Sequence, residues 1–148
     1  MLKKIAIFIL APLTIQANVL FGEEFIGGLR NAKGTCSIER NGVDIPAQNG
    51  FKILQNDILK TGPNGSIGVI FKDNTRISMG PDSRIVMSRY VFEPDQNRFS
   101  FLAKIVKGSL SYISGSLGKL SPESVAVETP TATVGIRGTR FLLKIDNP

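Results

Sequence analysis

Histidine does not occur in this chain, and cysteine occurs once, as Cys36. The first absence excludes an imidazole general base, a Ser-His-Asp triad and any imidazole metal ligand. The second excludes an internal disulfide. Cys36 alternates with Ile38, so both face one side of a strand, and we read Cys36 as a small buried hydrophobe rather than an intermolecular disulfide partner. Dense acidic clusters are missing too. Asp57, Asp73 and Asp82 each sit at a turn signal, where Asp side chains bond nearby backbone N–H groups. A calcium site made from Asp73, Asn74 and Asp82 would lack the acidic spacing of a known loop. No block of five or six like charges occurs, which argues against nucleic acid as a partner. The expectation is a protein without catalytic residues, metal or cofactor.

Long hydrophobic runs are confined to the start. Lys3 and Lys4 precede an apolar stretch that begins with Ile5–Leu10 and reaches about Ile15, the three-part shape of a secretory signal. Cleavage is expected near Ala17 or Gly22, although Ile15 and Leu20 at the −3 positions are not small. Residues 5–21 contain Pro12, Gln16 and Asn18 and fall short of the ~20 residues of a spanning helix. We therefore expect residues 1–22 to be a cleaved signal peptide and the protein to be exported to the periplasm. Secretion, or anchoring by an uncleaved N-terminal segment, is the alternative. Loss of Lys3 and Lys4 leaves a net charge of about +4 from the +6 of the whole chain, a mild attraction for anionic polymers or headgroups.

Residues 23–33, with Gly27-Gly28, read as a loosely attached lead-in. From Gly34 onward short strands alternate with turn signals, among them Asn41-Gly42, Asn49-Gly50, Gly62-Pro63-Asn64-Gly65, Asp73-Asn74, Gly80-Pro81-Asp82 and Glu93-Pro94-Asp95. Their spacing is that of an all-β domain. Between them the hydrophobic period is two: Ile67, Val69, Phe71; Ile77, Met79; Ile85, Met87; Phe99, Phe101, Ala103, Ile105; Phe141, Leu143, Ile145. No window carries a helical stripe. The expectation for 34–146 is a single all-β domain of short strands, a twisted solenoid-like or rolled sheet, with a β-sandwich as the alternative.

The stretch from Ser124 to Ile145 places a polar triplet, Arg137-Gly138-Thr139, between two β-branched runs. Gly138 suggests unusual backbone geometry, and Arg137 requires acceptors if buried. Two readings arise. Arg137 could form an anion site, or it could pair internally with Asp57 or Glu128; the second is preferred because an interior Arg needs such partners.

The order of these motifs resembles the FecR-like domain, the periplasmic domain of ferric-citrate-type signalling regulators. The resemblance runs from about Gly34 to Ile145. It rests on Asn56-Asp57-Ile58-Leu59-Lys60-Thr61-Gly62, Gly65-Ser66, Asp73-Asn74-Thr75, Gly80-Pro81-Asp82-Ser83 and Gly108-Ser109-Leu110. Its most distinctive part is Val127-Glu128-Thr129-Pro130 through Arg137-Gly138-Thr139-Arg140-Phe141. Asn56 and Asn74 replace glycines usual in the family, and Asn tolerates the left-handed conformation that both turns need. The motif positions Asp57, Thr61, Gly62, Asp73, Asn74, Ser83, Gly108, Thr129, Pro130, Arg137, Gly138, Thr139 and Phe141 are expected to be structural. Signalling members resemble a longer assembly with a sigma-factor-binding segment and a membrane helix, whereas here a signal peptide is expected to lead directly into the domain. The resemblance implies a protein-binding module in envelope signalling, meeting another envelope protein through strand edges. A structural or envelope-assembly role, or a small-ligand or polysaccharide sensor, is the alternative.

Overall fold

The structure, a computed structural model, describes residues 24–146, so the leader expected at 1–22 lies outside the described residues. Twelve strands follow one another: β1 (Gly27–Lys33), β2 (Cys36–Arg40), β3 (Val43–Pro46), β4 (Lys52–Ile53), β5 (Ile58–Thr61), β6 (Ser66–Phe71), β7 (Arg76–Met79), β8 (Arg84–Glu93), β9 (Arg98–Ile113), β10 (Val125–Glu128), β11 (Thr133–Gly135) and β12 (Arg140–Ile145). One short helix, α1 (Ser116–Leu120), interrupts them. The fold is all-β, as the period-two pattern requires.

β9 explains the architecture. Arg98–Glu93 to Lys107–Arg84 pair its first half with β8, and Leu110–Met79 to Ile113–Arg76 pair its second half with β7. β7 and β8 thus form one interrupted ribbon antiparallel to β9. On the opposite side of β9, β10 runs parallel to Phe101–Lys104 and β12 antiparallel to Gly108–Ile113. Further out the order is the same in both halves: β6, then β1 and β4, beyond β7; β5, then β2 and β3, beyond β8. The result is one curled sheet folded over itself, a rolled sheet rather than two independent ones.

The inward residues of both layers make a single core. Leu29, Val69, Ile77 and Leu110 from one layer meet Ile38, Leu59, Ile85 and Ile105 from the other. Aromatic rings bridge the layers: Phe71 stacks on Tyr90 at 5.1 Å between centroids, and Phe101 meets Phe71 and Tyr112 edge-on at 5.3 and 5.4 Å. Each fully buried aliphatic or aromatic side chain contributes roughly 1.5–3 kcal/mol. Cys36 packs half-buried against this core, consistent with its reading as a small hydrophobe.

One expectation is corrected. Gly27–Lys33 is not a loose lead-in but a strand inside the sheet, hydrogen-bonded to β6 on one side and β4 on the other. Ile26 and Leu29 are buried. Its signal was hidden because Gly27 and Gly28 stand where apolar residues would reveal the period. Gly27 is required by contact, since a Cβ there would lie 2.7 Å from the carbonyl oxygen of Ile70.

Candidate functional site

The motif residues fall into four places. The first is the corner where the sheet folds over. Thr61 ends β5, and its Oγ1 donates to the Gly80 carbonyl (2.7 Å) while accepting from the Ser83 N–H (2.9 Å). Ser83 Oγ accepts from the Ser109 N–H (2.9 Å), and Ser109 Oγ accepts from the Gly80 N–H (3.2 Å). Gly62 donates its N–H to Thr35 and accepts from Asp82. Neighbouring crossings are therefore laced together at one edge. Gly108 lies there with φ +90, and a Cβ on it would come within 2.0 Å of Ser83 Oγ.

The second place is a buried carboxylate clamp. Asp57, 1 % exposed, receives the Leu54 N–H at 2.8 Å and two Arg40 donors at 2.9 and 2.8 Å. Arg40 also reaches the Lys52 carbonyl and covers the Phe51 ring. This corrects the expected pairing of Asp57 with Arg137. The acid is taken by an arginine from the adjacent strand β2, reached through the β2–β5 pairing.

Asp73 is the centre of the third. Oδ1 accepts from Tyr90 (2.7 Å) and the Thr75 N–H (3.3 Å), and Oδ2 accepts from Thr75 Oγ1 (2.6 Å) and the Leu117 N–H (2.9 Å). One carboxylate thus joins the β6–β7 turn, β8 and α1. Asn74 beside it has φ 67 and Asn56 φ 70, the left-handed conformation expected of both. Burial first, and then Asp73, hold the Tyr90 hydroxyl above the usual tyrosine range. Burial likewise raises Tyr112. Its hydroxyl has no partner of good hydrogen-bond geometry, although Ser114 and Thr75 lie near enough to offset part of the effect. Asp82 stands at the far end of β7 from Asp73 and is exposed. The calcium trio is therefore not assembled, and no group of three His, Cys, Asp or Glu able to hold a metal occurs among the described residues.

The fourth place is the hairpin β10–β11 with the segment leading to β12. Thr129 closes the hairpin: its N–H and Oγ1 both donate to the Ala132 carbonyl, and Oγ1 accepts from the Ala132 N–H at 3.1 Å. Pro130 lies exposed in that turn. Thr139 accepts from the Ser114 N–H, and Phe141 stacks on Tyr112 at 5.0 Å. Gly138 has φ +148 with open space around it. Arg137 is exposed rather than locked inside, which corrects the internal pairing expected for it. Its charge reaches Glu123, whose carboxyl is held low by its own backbone and Ser121 before Arg137 contributes.

All three residues of β11 are exposed. Ile136 donates to the Val125 carbonyl and Thr129 to the Ala132 carbonyl, so by alternation the N–H groups of Thr133 and Gly135 point away from β10. That edge is open. So are those of β3, β4 and β12, each with one neighbour. Pro46 blunts the β3 edge, whereas Lys104 lies inside β9 between β8 and β10. Among the described residues no helix is long and apolar enough to cross a membrane.

The fold and these sites define a class: a rolled β domain whose buried polar side chains are spent on joining strands, and whose accessible backbone lies along its edges. The chain belongs to the FecR family, whose profile, described as FecR protein, matches residues 57–148. The matched span begins at Asp57, so β1–β4 precede it although they share the sheet. Comparison with curated proteins finds no match, and neither does comparison with solved structures.

Proposed function

We propose that this protein is an exported, non-enzymatic binding module of envelope signalling, and that it holds a partner protein by strand addition at β11. The observation that carries this reading is the open edge formed by Thr133 and Gly135, whose N–H groups face solvent. An extended partner segment would pair with them through its backbone, and Val134, 43 % exposed, would give it a side-chain contact. The motif residues at the corner and around Asp57 and Asp73 serve folding in this reading, holding the hairpin in place. Family membership supports a signalling-associated domain, and the N-terminal signal pattern supports the periplasm.

The test is photocrosslinking in intact cells from position 134, compared with position 96, exposed on the turn between β8 and β9. A single stoichiometric adduct from 134 alone is expected. Gly135→Pro should abolish it while leaving the melting temperature within a few degrees, because a Cβ at 135 meets nothing within 4 Å. An adduct that survives Gly135→Pro overturns strand addition at this edge.

A further inference from the structure

The two outer faces of the rolled sheet treat charge differently. On the layer containing β2, β3, β5 and β8, opposite charges meet mid-face: Lys60 pairs with Glu39 and Asp44, and Arg84 pairs with Glu39, while Arg89, Lys104 and Lys107 make no ion pair among the described residues. On the layer β4-β1-β6-β7-β9-β12 the ion pairs among the described residues lie only at its two ends. Strand register turns Arg30, Lys33, Lys52, Arg76, Arg140 and Lys144 outward from it. Among the described residues its outward acid at the β12 end is Asp146, 3.7 Å from Lys144. At the β4 end Glu24 pairs with Lys72, and the Lys52 and Lys72 ammonium groups lie over the Phe25 ring at 4.6 and 4.7 Å. Arg30, Lys33, Arg76 and Arg140 make no ion pair among the described residues.

Between the cations the face is floored by Ser66, Gly68, Ser78, Ser109 and Ser111. Short side chains leave the long basic ones standing clear. Arg76, Ile113 and Arg140 stand side by side on β7, β9 and β12, and Leu142, 76 % exposed, projects one row away. Near β4 the surface dips into an open depression of about 260 Å³, lined by Arg30, Lys52, Lys72, Gly28, Phe25 and Ile70. Arg30, Lys33, Arg76 and Arg140 gather here without counter-charges among the described residues, and like charges so placed repel.

We propose that this face docks on an anionic bilayer surface, its arginines and lysines meeting headgroup phosphates while Leu142 and Ile113 enter the headgroup boundary. The spread of the cations favours a surface over a chain. Five strand steps of ~4.8 Å separate β4 from β12, and four residues of ~3.4 Å separate Arg140 from Lys144, giving a patch of roughly 24 by 14 Å. A linear polyanion would touch one row of it, whereas a two-dimensional array of phosphates meets all of it. Each basic group near such a surface contributes about 1 kcal/mol, weakened by salt. The β11 edge lies in the other layer and stays free for its own partner.

Co-sedimentation of the exported protein with phosphatidylglycerol-containing and pure phosphatidylcholine vesicles tests this. Binding to the anionic vesicles alone, released by salt, is expected. Arg76→Gln with Arg140→Gln should lower partitioning about 25-fold, the equivalent of two such groups. Lys104→Gln with Lys107→Gln removes the same charge from exposed positions elsewhere on β9 and should act by less than about threefold. All four side chains are exposed, and thermal melts check that both variants fold. Equal losses from the two variants would show that net charge alone matters and overturn the proposal. Equal binding to neutral vesicles would do so as well. So would vesicle-free behaviour combined with arginine-dependent binding to soluble alginate, which would assign the face to a linear polymer.

Discussion

At the residue scale the two arginines that matter are opposites. Arg40 holds the buried Asp57 through two hydrogen bonds, while Arg137 stands in solvent. Arg40→Ala leaves a carboxylate buried with only the Leu54 N–H and should cost about 3 kcal/mol in urea denaturation. Arg137→Ala should stay within about 0.5 kcal/mol, as for an ordinary surface change. The two tyrosines supply a pH dependence. Both are raised in the folded state, so an unfolded chain loses these protons first as pH passes about 10. Above that pH the unfolded state binds fewer protons and stability falls; below it the two states are protonated alike and this contribution is complete. Denaturation midpoints should decline above about pH 10, and Tyr90→Phe should flatten the decline. With only two tyrosines in the chain, absorbance titration reads both directly. Asp57 was recognisable as a turn acid from its position, but its cation was not, because that depends on which strand lies beside β5.

At the element scale the corner is the device that turns a long antiparallel ribbon into two facing layers. β9 passes through it without breaking because Gly108 takes φ +90 and lies against Ser83. Gly108→Ala would place a methyl within 2.5 Å of the Ser83 Cα and should cost about 2–3 kcal/mol, read from the shift in urea midpoint. The strands were legible from the sequence because alternation is local: Ile67, Val69, Phe71 and Ile85, Met87 are all buried as their spacing indicates. Left-handed Asn56 and Asn74 were legible for the same reason, since side-chain sterics at one residue decide them. β11 was not. Thr133, Val134 and Gly135 show no alternation between core and solvent, because all three are exposed.

For the whole molecule, β1 is the decisive strand. It lies between β6 and β4, and Ile26 and Leu29 fill the core beneath it. A chain shortened to begin at Gly34 would bare the edge of β6 and empty those positions. We expect it to lose cooperative thermal unfolding and to bind a hydrophobic dye, and retention of a sharp melt would show β1 to be dispensable. The segregation of charge belongs to this scale as well. Along the sequence Arg30, Arg76 and Arg140 stand far apart, each a single charge on a different strand. Register brings them onto one face.

The sequence by itself determined the class of fold, the turns and the family, because periodicity, left-handed asparagines and ordered motifs are properties of neighbouring residues. It also excluded histidine chemistry and an internal disulfide by composition alone. Tertiary structure decided which arginine meets Asp57, that Gly27–Lys33 is an inner strand, and that Arg30, Arg76 and Arg140 come together on one face. Each of these depends on which strands become neighbours across the sheet, and that pairing is settled by burial of the shared core rather than by any one segment.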